Sequence, residues 1–115
     1  MRTSLLIFLL TLGTQAAEFG KASWYSVKTN GGTHTASGRK LRDNEMTAAH
    51  KTLPFGPVVK VTNLNNGKTV NLVITNRGPY IRGRIIDVTT GAADVLGFRK
   101  NGITKVKVEV VKNKN

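Results

Sequence analysis

Residues 47–87 read TAAHKTLPFGPVVKVTNLNNGKTVNLVITNRGPYIRGRIID. Val59 and Val61 alternate with Lys60 and Thr62, and the alternation resumes at Val70, Leu72 and Ile74. Period two is the mark of a half-buried strand. Between the two runs stands Leu64-Asn65-Asn66-Gly67-Lys68, and Asn-Gly takes the positive φ angles of a type I′ turn, so residues 58–75 are expected to form a hairpin. A short apolar strand follows over Arg84–Val88. Two tight turns, Leu53-Pro54-Phe55-Gly56 and Gly78-Pro79, lie beside polar residues that loops would present: His50, Asn76, Arg77 and Asp87. These are the first candidates for a site.

Outward from this stretch, Phe19–Tyr25 reads as a first strand, and Val106, Val108 and Val110 alternate with Lys105, Lys107 and Glu109 as a last one. One short helix is expected at about 90–97, capped by Thr89 or Thr90 and stopped by Gly97 in a left-handed conformation. Segment 26–46, rich in Gly, Thr, Ser, Asn and charge, reads as a long loop with room for one helical turn, and loops of that length in small domains are usually functional. The class is all-β, and closing the sheet on itself would leave no open edges. The basic tail at Lys112–Asn115 is expected to fray.

Residues 1–16 have the form of a secretory signal peptide: one Arg, an apolar run from Leu5 to Leu12, then Thr14 and Ala16 at small-residue spacing. Cleavage is expected near Ala16, leaving one domain over 17–115 that is exported to the periplasm or the extracellular space. The apolar run is too short to span a bilayer, and with no cysteine there is neither a lipid-attachment residue nor a disulfide, so no membrane anchor is expected. Two histidines without cysteine make the usual zinc sites unavailable, and no metal or cofactor is expected. Without Arg2, 17 basic side chains face 6 acidic ones, a net charge of +11. Such a balance favours solubility and attraction to polyanions. With the basic residues dispersed and aromatics few, an anionic cell envelope is the expected partner of an exported monomer, and nucleic acid is not.

Taken together, GKASWY, TASG, TAAHKTLPFG, VTNLNNGK, NRGPYIRGRIID and AADVLGF, in this order from Gly20 to about Val111, resemble the rare lipoprotein A (RlpA) family. The resemblance implies a six-stranded double-psi β-barrel acting on peptidoglycan glycan strands as an endolytic lytic transglycosylase. In that reaction a side chain protonates the oxygen leaving between two sugars, and the muramic 6-hydroxyl attacks the anomeric carbon to leave a 1,6-anhydro end. The protein must give and then take back a proton.

The family's site carries over as a Glu after TASG, the His of TAAH and an Asp before RGP. Here these positions hold Arg39, His50 and Asn76. Arg39 stays protonated and cannot recycle a proton, whereas Asn76 keeps the shape of Asp without ionising. Asp87 resembles in position an Asp of the expansin groove, so His50, Asn76 and Asp87 are the expected catalytic set, with Asp43 and Glu45 as other carboxylates within reach. Trp24, Tyr25 and Tyr80 offer faces for sugar stacking, and Arg77, Arg82 and Arg84 suit sugar carboxylates; Arg39 is counted with the substrate-binding residues. His34 reads as a loop residue. The alternative is an expansin-like module that binds glycan and loosens the wall without cleaving it, although a true expansin would bring cysteines and a second domain.

Overall fold

The computed structural model describes residues 16–111. The expected leader, apart from Ala16, and the tail from Lys112 lie outside the described residues. Six strands run in the order β1 (Glu18–Tyr25), β2 (Thr47–His50), β3 (Val58–Asn63), β4 (Thr69–Asn76), β5 (Arg84–Thr89) and β6 (Ile103–Val110). They close into a barrel whose neighbours are β1-β5-β2-β4-β3-β6, with β6 returning to β1. Two pairings are parallel, β1 with β5 and β2 with β4, and the rest are antiparallel. Closure pairs every strand on both sides, so the barrel has no free edge.

Alternation fills the interior. Ala22, Ala48, Val61, Ile74, Ile86, Val88 and Val106 are all 0% exposed, and Ala92, Ala93, Leu96 and Phe98 join them from the helix side. The helix α2 (Thr90–Leu96) is capped by Thr89, whose side chain accepts from the Ala92 N–H, and ends at Gly97 with φ 78°. Of the two candidate caps, Thr89 is the one used. The expected one-turn helix in the long loop is α1 (Val27–Asn30), opened by a Ser26–Thr29 capping box.

Two local expectations change. No type I′ turn forms at Asn66–Gly67, because only Gly67 takes a positive φ (78°). The five-residue connection is instead held by its own side chains: Asn63 Oδ1 accepts from Asn65 N and Asn66 Oδ1 from Lys68 N. The freed Asn63 and Asn66 amides both donate to the Leu96 carbonyl, tying the hairpin to the end of α2. The second change is that TAAH is strand β2 rather than a loop, with all four residues buried between β4 and β5.

Candidate functional site

Register decides which polar residues meet. β2 sets Ala49 opposite Asp87 and His50 opposite Ile86, while Ala49 also lies beside Asn76 on β4. Successive side chains point to opposite faces of a strand. Ala49, Asn76 and Asp87 therefore share the outer face, and His50 shares the core face with Ile86. On the other side of β5, Ser23 is registered with Asp87 and its hydroxyl donates a 2.8 Å hydrogen bond to Asp87 Oδ1.

These residues make a cleft of about 480 Å³ lined by Trp24 and Tyr25 at the end of β1, Thr29 and Asn30 of α1, Ala49, Asn76 to Tyr80, and Asp87. Asn76 is engaged at both polar atoms: Oδ1 accepts from Ala36 N (2.9 Å) and Arg77 N (3.0 Å), and Nδ2 donates to the Tyr25 hydroxyl at 3.3 Å. Burial raises the Asp87 pKa above the ordinary carboxylate range, against the lowering effects of the Ser23 hydroxyl and the Arg84 charge. Burial likewise raises Tyr25, which the Asn76 hydrogen bond lowers and the Asp87 charge raises further. The cleft thus holds one ionisable acid, an amide and a phenol in mutual contact or field.

Not every expected residue is there. His50 is 3% exposed and does not line the cleft. Its Nδ1 accepts from Thr52 N and Leu53 N, both at 3.1 Å, and its Nε2 lies 2.7 Å from Glu18 Oε1. Arg77 lines the cleft, but its Nη1 donates to the His50 and Leu53 carbonyls (3.1 and 2.8 Å), and its guanidinium lies 4.1 Å from the Phe55 ring centre. Trp24 donates from Nε1 to the Arg99 carbonyl and carries the Arg99 guanidinium 5.0 Å from its ring. Tyr80 stands 75% exposed on the rim; Arg82 is exposed and Arg84 half-buried, neither lining the cleft.

Arg39 pairs with Glu45 (3.3 Å) outside the cleft, and Asp43 Oδ1 accepts from Val27 N at 2.8 Å. Five contributors escaped the sequence reading: Ser23, Thr29, Asn30 and Ala49 at the cleft, and Glu18 against His50. Ser23 was signalled by its place two before Tyr25 on one strand face. Among the described residues no group of three or more His, Asp or Glu side chains could hold a metal ion.

Over residues 17–108 the chain matches the family described as lytic transglycolase. Named endolytic peptidoglycan transglycosylase RlpA, the Rickettsia felis protein is 50% identical over 98 residues, covering 84% of this chain and 43% of that protein. The probable endolytic peptidoglycan transglycosylase RlpA of Synechocystis sp. is 47% identical over 92 residues (80% and 28%), and the endolytic peptidoglycan transglycosylase RlpA of Neisseria meningitidis serogroup B is 46% identical over 100 (84% and 41%). The chain spans less than half the length of these curated relatives. Among solved structures, Streptomyces papain inhibitor (TM-score 0.68, 20% identity, 87% of this chain and 98% of that one) and Clavibacter michiganensis expansin (0.68, 20%, 87% and 52%) share the fold. A match over most of the chain, carried on a closed barrel of six strands, establishes that the protein belongs to the lytic transglycolase family as an RlpA-type double-psi β-barrel.

Proposed function

We propose that this domain cleaves peptidoglycan glycan strands by lytic transglycosylation, in the cleft between Tyr25, Asn76 and Asp87, after export through a leader at residues 1–16. The observation that carries this reading is Asp87: a carboxyl at a cleft wall, kept protonated to higher pH by burial. A protonated Asp87 donates its proton to the glycosidic oxygen as the C1–O bond breaks. The muramic 6-hydroxyl oxygen then bonds to C1, and its proton returns to the Asp87 carboxylate. No water is consumed, and the acid is regenerated.

Asn76 holds the Tyr25 hydroxyl and the Ala36 and Arg77 amides in place beside the acid. Tyr25 and the exposed Tyr80 supply stacking faces. We assign His50 to holding the 51–55 turn rather than to proton transfer, because neither ring nitrogen is free to face the cleft.

The test is digestion of purified, peptide-free strands, with mass spectrometry of the ends. Products with 1,6-anhydro ends that vanish with Asp87→Asn support the reading. Strands retained by the protein but uncut at high protein concentration favour the second reading, an expansin-like module that binds glycan without cleaving it. That alternative draws on Asn76, an amide at the position where the family resemblance implies an acid.

A further inference from the structure

β4 outruns its neighbour. β3 begins at Val58, opposite Val73, so Ile74 to Asn76 have no partner on β3. The long loop takes that place, with Ser37 N donating to the Thr75 carbonyl (3.0 Å) and Ala36 N to Asn76 Oδ1 (2.9 Å). Between this strap and the turn before β3 lies a second cleft of about 190 Å³, lined by Ser37, Arg39, Phe55, Gly56 and residues 73–75. It shares no lining residue with the Asp87 cleft, yet Thr75 lines one and Asn76 the other. The Arg77 guanidinium on the Phe55 ring forms the wall between them.

Charge at this second cleft is unbalanced. Arg39 and Arg42 both approach the single carboxylate of Glu45, at 3.3 and 3.8 Å. Asp43 is turned away onto Val27 N. Two guanidiniums on one carboxylate leave a positive charge uncompensated, and the Arg39 side chain is 51% exposed. An exposed pair of this kind opens at little cost, whereas an incoming carboxylate offers a guanidinium a two-pronged partner.

We infer that this cleft is a second sugar subsite that selects a carboxylate-bearing residue, Arg39 gripping the carboxylate and Phe55 offering an apolar wall to the ring. The inference rests on the glycan-strand reading above and adds to it a charge selectivity located one β4 position from Asn76 of the Asp87 cleft.

The test is equilibrium binding of the full chain, with Asp87→Asn to prevent turnover. The probes are peptide-free glycan oligomers with free lactyl carboxylates, the same oligomers methyl-esterified, neutral chitin oligomers and oligogalacturonate. The free-acid oligomers are expected to bind about three- to tenfold tighter than the esters. Arg39→Gln should erase that difference, while Arg42→Gln, outside the cleft, should keep it. Equal binding of acid and ester, with chitin also bound, overturns the subsite and leaves the glycan reading standing. A preference that survives Arg39→Gln overturns it too, as does oligogalacturonate binding as tightly as the free-acid strands. No binding of any oligomer overturns the glycan reading and the subsite together.

Discussion

His50 Nε2 lies 2.7 Å from Glu18 Oε1, while Nδ1 of the same ring accepts two backbone N–H groups. A ring nitrogen that accepts carries no proton, so the neutral imidazole is the Nε2–H tautomer, donating to Glu18. His50→Ala should lower stability by about 1–3 kcal/mol, since it empties the place of a buried ring and takes the acceptor from the Thr52 and Leu53 amides in a partly exposed turn. Glu18 is half exposed, so Glu18→Gln should cost below about 1 kcal/mol. Denaturant unfolding checks both, and nitrogen-15 shifts of the ring report the tautomer. An Nδ1–H signal would sink this account of His50.

Asp87 ties stability to pH in the direction opposite to a salt-bridged carboxylate. Its pKa is raised in the folded state, so the folded protein holds the proton more tightly than the unfolded chain. Its favourable contribution is fully present below the unfolded value of ~3.9 and is lost as pH rises through the folded one. Above that range the buried charge is a standing penalty. Asp87→Asn keeps an acceptor for the Ser23 hydroxyl and should raise the melting temperature at neutral pH, with little change in acid. The proposed cleavage of glycan strands should fall by ~10²- to 10⁴-fold. A variant no more stable at pH 7 than the parent would contradict the burial of this group.

How much of this was legible beforehand follows from what each residue reports. Val59, Val61, Val70, Leu72 and Ile74 declare the hairpin because their faces differ in polarity, and the same holds for β6. β2 gives no such sign: Thr47–His50 is buried on both faces, so nothing alternates, and only the family resemblance supplied a sixth strand. The meeting of Asn76 with Asp87 depends on β2 lying between β4 and β5, one parallel and one antiparallel. Such register is a property of closure, invisible in local pattern. For the same reason His50 looked like a cleft residue: its motif position was readable, but the face it occupies was not.

Gly91 tests the packing that seats the long loop. Its N–H donates to the Asp43 carbonyl at 2.8 Å, and a Cβ at this position would stand 2.8 Å from that same oxygen. Backbone cannot yield as a flexible side chain would. Gly91→Ala should therefore destabilise by about 1–3 kcal/mol, despite the better helix propensity of Ala. Thermal unfolding measures it, and an unchanged or higher midpoint would show that the 43–44 segment moves freely away from α2.

Asn76→Asp is the substitution that bears most directly on the proposed cleavage. The side chain already receives two backbone N–H groups, from Ala36 and Arg77, which favour an ionised carboxylate at that place. The Tyr25 hydroxyl, now accepting from the amide, can turn to donate, so the contact survives. A new negative charge on the same sheet face would push the Asp87 pKa higher still, separating the two acids into an ionised member and a protonated one. The variant is expected to fold as the parent and to release 1,6-anhydro ends at least about tenfold faster, with the pH optimum moved upward. Rates measured across pH on peptide-free strands decide it. A folded but unimproved variant would mean that Asn76 only braces the cleft, and that the proton transfer proposed for Asp87 does not depend on a second carboxylate.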